Sequence, residues 1–132
     1  MNGTRTIRTR DQERALHAYK SVEDVPKEWL DEYKIAVNGL GSYIMRNGLA
    51  ATMAYLERER ERKAVERLAD HLAEANIPGL ERCSGKDLPR VVRSLPLDDY
   101  QVATREILKL LVWFRRAVRA RSLGKEDPHD AR

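Results

Sequence analysis

The stretch from Leu97 to Arg121, LDDYQVATREILKLLVWFRRAVRAR, most limits what this chain can fold into. Tyr100, Ala103, Ile107, Leu110, Phe114 and Ala117 recur at alternating steps of three and four, the period of one helix face. A second line, Val102, Leu108, Val112 and Trp113, runs along another side, so the apolar girdle is too wide for one neighbour to cover. The expectation is a central helix packed by several others. Asp98 is placed to cap its first turn, with Gln101 three residues on as in a capping box. The far end is basic: Arg115, Arg116, Arg119 and Arg121 stand where cations meet the negative end of the helix dipole.

The same period runs through most of the chain. Thr9 and Gln12 form a capping box ahead of the stripe Ala15, Leu16, Tyr19 and Val22. A second helix begins near Pro26 and keeps its period from Trp29 to Ile44. Gly39 and Gly41 interrupt it, which predicts a close helix crossing or a kink, and Asn47-Gly48 stops it. Leu49, Met53 and Leu56 then lead into ERERERK, residues 57–63, an alternation of charge read as solvent-exposed. Beyond it Ala64, Leu68 and Leu72 resume about a quarter turn out of phase, which favours two helices joined near 58–62. Ser84 and Asp87 make another capping box before a short helix through Leu88, Val91, Val92 and Leu95, and Pro96 separates it from the long helix.

These elements add up to an all-α chain, a compact bundle of five to six helices. The 132 residues are one domain's worth, with residues 1–8 a basic arm and residues 122–132 a polar tail. Apolar residues at 42% and charged residues at 35%, almost without period-two alternation, suit a soluble helical protein. One cysteine, Cys83, allows no internal disulfide and suits a reducing cytoplasm. No apolar run approaches the roughly 18 residues of a membrane span, and the first residues are too polar for a signal peptide. A net charge of +4 is compatible with an acidic partner such as RNA without requiring one.

The sequence offers little for catalysis. His17, His71 and His129 have no second histidine or cysteine at a metal-ligand spacing, and no cofactor-binding motif is present. Cys83 has Arg82 and Lys86 beside it, which would lower its pKa, but nothing identifies a base. Arg10 and His17, with six residues between them, fit the spacing of the helical HEPN-type ribonucleases. Arginine is so abundant here that a chance match is expected, and a half-buried structural histidine is the preferred reading. No enzyme activity is expected.

Three pieces in order carry a family resemblance: RTRDQERALHAYKSV at 8–22, MRNGLAATMAYL at 45–56 and DDYQVATREILKLLVWFRRAVRA at 98–120. Together they resemble the small helical subunit of the type III-B (Cmr) CRISPR effector complex. ERERERK and Gly-Leu-Gly at 39–41 depart from that pattern. The resemblance implies a non-catalytic subunit that stacks head-to-tail with copies of itself, beside other subunits of the complex, and holds guide or target RNA by its phosphates. The arginines assigned to phosphate are Arg8 and Arg10 on the first helix, Arg46 at the Asn-Gly turn, and Arg105, Arg115, Arg116 and Arg119 on the long helix. Their planar forks suit the work, and phosphate contacts carry no base specificity. Trp113 and Tyr100 are assigned to the core or a subunit interface. The competing reading is a helical adaptor that binds only protein through exposed apolar residues.

Overall fold

In a computed structural model that describes residues 7–125, the long segment forms one helix and the rest of the bundle is arranged along it. The elements are α1 (Arg10–Glu23), a 3-10 turn (Lys27–Trp29), α2 (Leu30–Asn47), α3 (Leu49–Arg58), α4 (Lys63–Ala73), α5 (Leu88–Arg93) and α6 (Leu97–Lys125). Among the described residues there is no strand. At 1.5 Å per residue, α6 is about 44 Å long. It packs mainly against α1 and α2; α2 also contacts α3 and α4, and α5 lies on α3.

Ala103, Ile107, Leu110, Phe114 and Ala117 of α6 are buried, as their period predicts, together with Leu111 and Val118. They meet Ala18 and Val22 of α1 and Tyr33, Val37, Leu40 and Ile44 of α2 in one apolar cluster. Tyr100 packs half-buried on that cluster, and its hydroxyl accepts the Ala50 amide hydrogen at 2.9 Å, tying α6 to the first turn of α3. Gly48 makes the preceding turn possible: its φ of +89° is open to glycine and strained for other residues.

Several expectations need correction. The second apolar line of α6 is covered only in part: Leu108 and Trp113 pack half-buried on the core, whereas Val102 and Val112 are 37% and 43% exposed. The helix starts at Leu97, where the Tyr100 amide donates to the Pro96 carbonyl, one residue before the Asp98 cap position. Residues 122–125, expected in the tail, continue the helix; the rest of the tail and most of the N-terminal arm lie outside the described residues. On α1, Leu16 and Tyr19 are exposed and the inward face is Arg14, His17, Ala18, Ser21 and Val22, because Arg14 finds a partner on α6 and His17 one on α4. Gly39 and Gly41 serve no close crossing, for a Cβ at either would meet nothing within 4 Å. Cys83 is half-buried beside Asp87, and burial pushes its thiol pKa up instead of down.

Other expectations hold. Thr9 and Gln12 form both bonds of the capping box. The charge run is a joint, with α3 ending at Arg58 and α4 starting at Lys63, and it is laced by Arg93–Glu57 at 2.9 Å and Arg62–Glu32 at 3.2 Å. Ser84 Oγ accepts the Asp87 amide hydrogen at 3.1 Å, one half of a capping box.

One polar network is buried in the core. The Tyr33 hydroxyl donates to His71 Nδ1 at 2.7 Å, so His71 carries its hydrogen on Nε2, which faces Asp24 Oδ2 at 3.4 Å. His17 Nε2 donates to the His71 carbonyl at 2.7 Å, joining α1 to α4. Burial pushes the His71 pKa from 6.5 down to about 4. The unfolded chain therefore binds a proton in that window that the folded chain does not. The His71 contribution to stability is fully present above pH 6.5 and is lost as the pH drops toward 4, and the urea midpoint should be lower at pH 5 than at pH 7. Gly39→Ala and Gly41→Ala, entering open space on a helix, should each raise stability by up to about 1 kcal/mol in the same assay.

Candidate nucleic-acid interface

The candidate surface follows from how α6 divides its sides. Toward α1 it presents Glu106 and Trp113. Arg14 of α1 grips Glu106 with two bonds, Nε to Oε2 at 2.7 Å and Nη2 to Oε1 at 2.9 Å, and Arg10 adds a second cation at 3.0 Å. These guanidinium groups hold the Glu106 pKa down at about 2. The Trp113 indole donates to Asp11 Oδ1 at 2.9 Å, which lowers the Asp11 pKa. Toward α2 it presents Leu108 and Leu111, which line a cleft with Gly41, Ser42, Met45 and Arg46.

Between these two sides lies an outward arc carrying Arg105, Lys109, Val112, Arg115, Arg116 and Arg119, all exposed. Steps of three, four and seven keep them together, and from Arg105 to Arg119 the arc runs about 21 Å. After Asp99, Glu106 is the one acidic side chain in α6, and α1 has taken it. The charge of the arc is therefore of one sign.

The arc continues onto α2. Arg115 shares one cleft with Arg46 and a second, of about 680 Å³, with Lys34, Asn38 and Arg119. Among the described residues, neither these cations nor Arg105 and Arg116 form an ion pair with a carboxylate. Arg116 is steadied differently, with its guanidinium 4.6 Å from the centre of the Trp113 ring. Arg105 is exposed, and Glu106, its neighbour in sequence, points toward α1 to meet Arg14.

Of the residues assigned to phosphate, the fold thus places Arg46, Arg105, Arg115, Arg116 and Arg119 on one side. Arg8 stands elsewhere, exposed at the foot of α1 beside Gln12, Leu16 and Tyr19. Arg10 is engaged by Glu106. Arg121, grouped by sequence with the basic end, is spent internally: its Nη1 donates to the carbonyls of Val22 and Val25 at 2.6 and 2.7 Å. Two members were missed. Lys109 is legible from its four-residue step after Arg105; Lys34 is distant in sequence and joins only through the α2–α6 packing. His17 and Arg10, which the spacing pairs, are engaged separately: His17 donates to the His71 carbonyl and Arg10 meets Glu106.

The profile of a family described as CRISPR-associated protein (Cas_Cmr5) matches residues 10–121. The chain belongs to the Cas_Cmr5 family. The matched span runs from the first residue of α1 to the arginine that fastens α6 to its end. Over 62 residues the chain is 39% identical to the CRISPR system Cmr subunit Cmr5 of Thermotoga maritima, a match covering 47% of this chain and 48% of that relative. The fold is similar to the crystal structure of a CRISPR-associated Cmr5 family protein from Thermus thermophilus. That likeness has a TM-score of 0.75 and 29% identity, and covers 86% of this chain and 97% of that one. The all-α bundle and the Cmr resemblance read from the sequence are both upheld.

The Arg14–Glu106 contact is testable in this Cas_Cmr5 member without any partner. Both side chains are nearly buried, at 12% and 13% exposure. Glu106→Ala strands Arg14 and should cost about 2–4 kcal/mol in urea unfolding, whereas Glu57→Ala, whose ion pair with Arg93 is exposed, should cost less than about 1 kcal/mol.

Proposed function

We propose that this protein is a non-catalytic small subunit of an RNA-guided, RNA-targeting Cmr (type III-B) effector complex in the cytoplasm. In it the protein stacks with copies of itself and with other subunits, and holds target RNA by sequence-independent phosphate contacts. The single observation that carries the RNA reading is the basic arc from Arg105 to Arg119, with its extension to Arg46 and Lys34, whose arginines and Lys34 form no ion pair among the described residues. Guanidinium groups spaced along a rigid helix suit a phosphodiester backbone, and an arc without exposed aromatic rings offers bases no stacking platform. Sequence choice then rests with guide pairing, and the protein supplies affinity and alignment. Arg8 and Arg10 belong to this reading as outlying contributors, Arg10 by way of an exposed guanidinium shared with Glu106.

Family membership supports the assembly, and exposed apolar residues suit it. Ile35 and Met45 on the outer face of α2 are 73% and 74% exposed, and Leu16 and Tyr19 mark the outer face of α1. These are the features that favour the adaptor reading, in which protein contacts alone matter. The two readings separate on salt. Binding of a 30-nucleotide oligouridylate, followed by fluorescence anisotropy from 50 to 300 mM KCl, should give a log–log slope that falls by about 0.7 for each of Arg115, Arg116 and Arg119 changed to Ala. Changing all three to Glu should weaken binding about tenfold or more while the helical circular dichroism is kept. Unchanged affinity and slope would leave the adaptor reading standing.

A further inference from the structure

Across α2 from the basic cleft lies a second, apolar groove of about 250 Å³. Buried Leu40 of α2 and Val65 of α4 line it together with exposed Ile35. Half-buried Tyr43 and Tyr55 add a stacked aromatic pair, with ring centres 5.3 Å apart and planes inclined by 29°. At the rim Arg62 Nε stands 3.2 Å from Glu32 Oε2, which sets a donor group and an acceptor group side by side. Gly39 opens into this groove, and a Cβ there would meet nothing within 4 Å. Asn38, the residue before it, lines the basic cleft with Lys34, Arg115 and Arg119. Cleft and groove are thus separated by the outer ridge of α2 alone. At Gly39 that ridge is bare backbone, about 2.3 Å from the helix axis instead of the roughly 5–6 Å of a helix clad in side chains.

Three features select the occupant. The groove is smaller than the roughly 300–1,000 Å³ of a pocket for a drug-sized ligand, so it takes a single ring system. Its apolar, aromatic body with one polar edge matches a nucleobase, which is flat and apolar on its faces and carries its donors and acceptors on its edge. The cations that suit a phosphate backbone lie directly over the ridge. We propose that RNA held in the α2–α6 cleft crosses α2 at Gly39 and seats one unpaired base in this groove, its face against the Tyr43–Tyr55 pair and its edge toward Glu32 and Arg62. Lys34, Arg115 and Arg119 take phosphates on the near side. Stacking accepts any base, because every base has a π-face, so the groove adds affinity and register without reading sequence. Gly39, which weakens α2 as a helix, here keeps the ridge low. The phosphate half rests on the function proposed above.

The experiment compares the 30-nucleotide oligouridylate with a strand of stable abasic (tetrahydrofuran) sites of the same length, by fluorescence anisotropy at 100 mM KCl, on the full parent chain and on Gly39→Leu. Leucine favours the helix, finds open space at position 39 and fills the groove, so the variant should unfold no earlier in urea than the parent. The parent should bind the oligouridylate about 5- to 10-fold more tightly than the abasic strand. Gly39→Leu should lose that preference with its abasic affinity and salt slope unchanged, and Gly39→Ala should lie between. A preference kept in Gly39→Leu, or none in the parent, would overturn the base site and leave the basic arc standing. Equal losses for both strands would reduce Gly39 to a steric requirement of the ridge and overturn the base site too. No binding of either strand to the parent would sink the proposal together with the RNA reading. Unchanged RNA binding in a Gly39→Leu chain that no longer assembles with other Cmr subunits would hand the groove to a partner's side chain.

Discussion

The bidentate grip of Arg14 on Glu106 is the contact on which both halves of this protein depend. It is nearly buried and pairs two charges at hydrogen-bonding distance, so it fixes α1 against α6 in register and orientation as apolar contact alone does not. The other links between the two helices lie along the same seam. Asp11 accepts the Trp113 indole hydrogen near the start of α1, and Arg121 closes the other end by donating to the carbonyls of Val22, in the last turn of α1, and Val25, just beyond it. Phe114 and Ala18 fill the space between.

The same contact sets the electrostatics of the outer surface. An acidic side chain at 106 beside Arg105 reads, in one dimension, as a neutralised pair. Folding turns Glu106 toward α1, leaving Arg105 and Lys109 on an arc that carries cations alone. Trp113, two turns further, is drawn toward α1 by Asp11 and holds Arg116 over its ring, so one of the arc's arginines is positioned by an aromatic face. The helix is thus sorted into an apolar side that builds the core, a polar side that docks α1, and a basic side that faces outward. A phosphate backbone lying on the third side would have no need to disturb the other two.

The Tyr33–His71–His17 network plays a comparable role between α1, α2 and α4. Each member is satisfied by another, so three helices are held in one geometry by directional bonds as well as by apolar contact. The network also explains why the periodicity of α1 misleads. Beside Ala18 and Val22, its inward residues Arg14, His17 and Ser21 are polar and partnered, while Leu16 and Tyr19 are turned out to solvent.

Local physics fixed much of this protein from its sequence. The Thr9–Gln12 cap, the stop at Asn47-Gly48, the joint in ERERERK and the core face of α6 all follow from spacing, because helix caps, glycine and apolar period act within a few residues. The family likeness was legible in the same segments. Among the surface arginines, sequence could name candidates but not sort them, since whether a guanidinium is free depends on what the fold puts beside it. Arg10, Arg14 and Arg121 look like Arg115 and Arg119 in the sequence, yet a carboxylate 92 positions away claims Arg14 and backbone carbonyls nearly 100 positions away claim Arg121. Lys34 joined the basic side for the same reason in reverse. The sequence determined the helices and most of their inner faces; tertiary packing alone decided which charges cancel, because ion pairing depends on distances of a few ångströms between segments far apart in the chain.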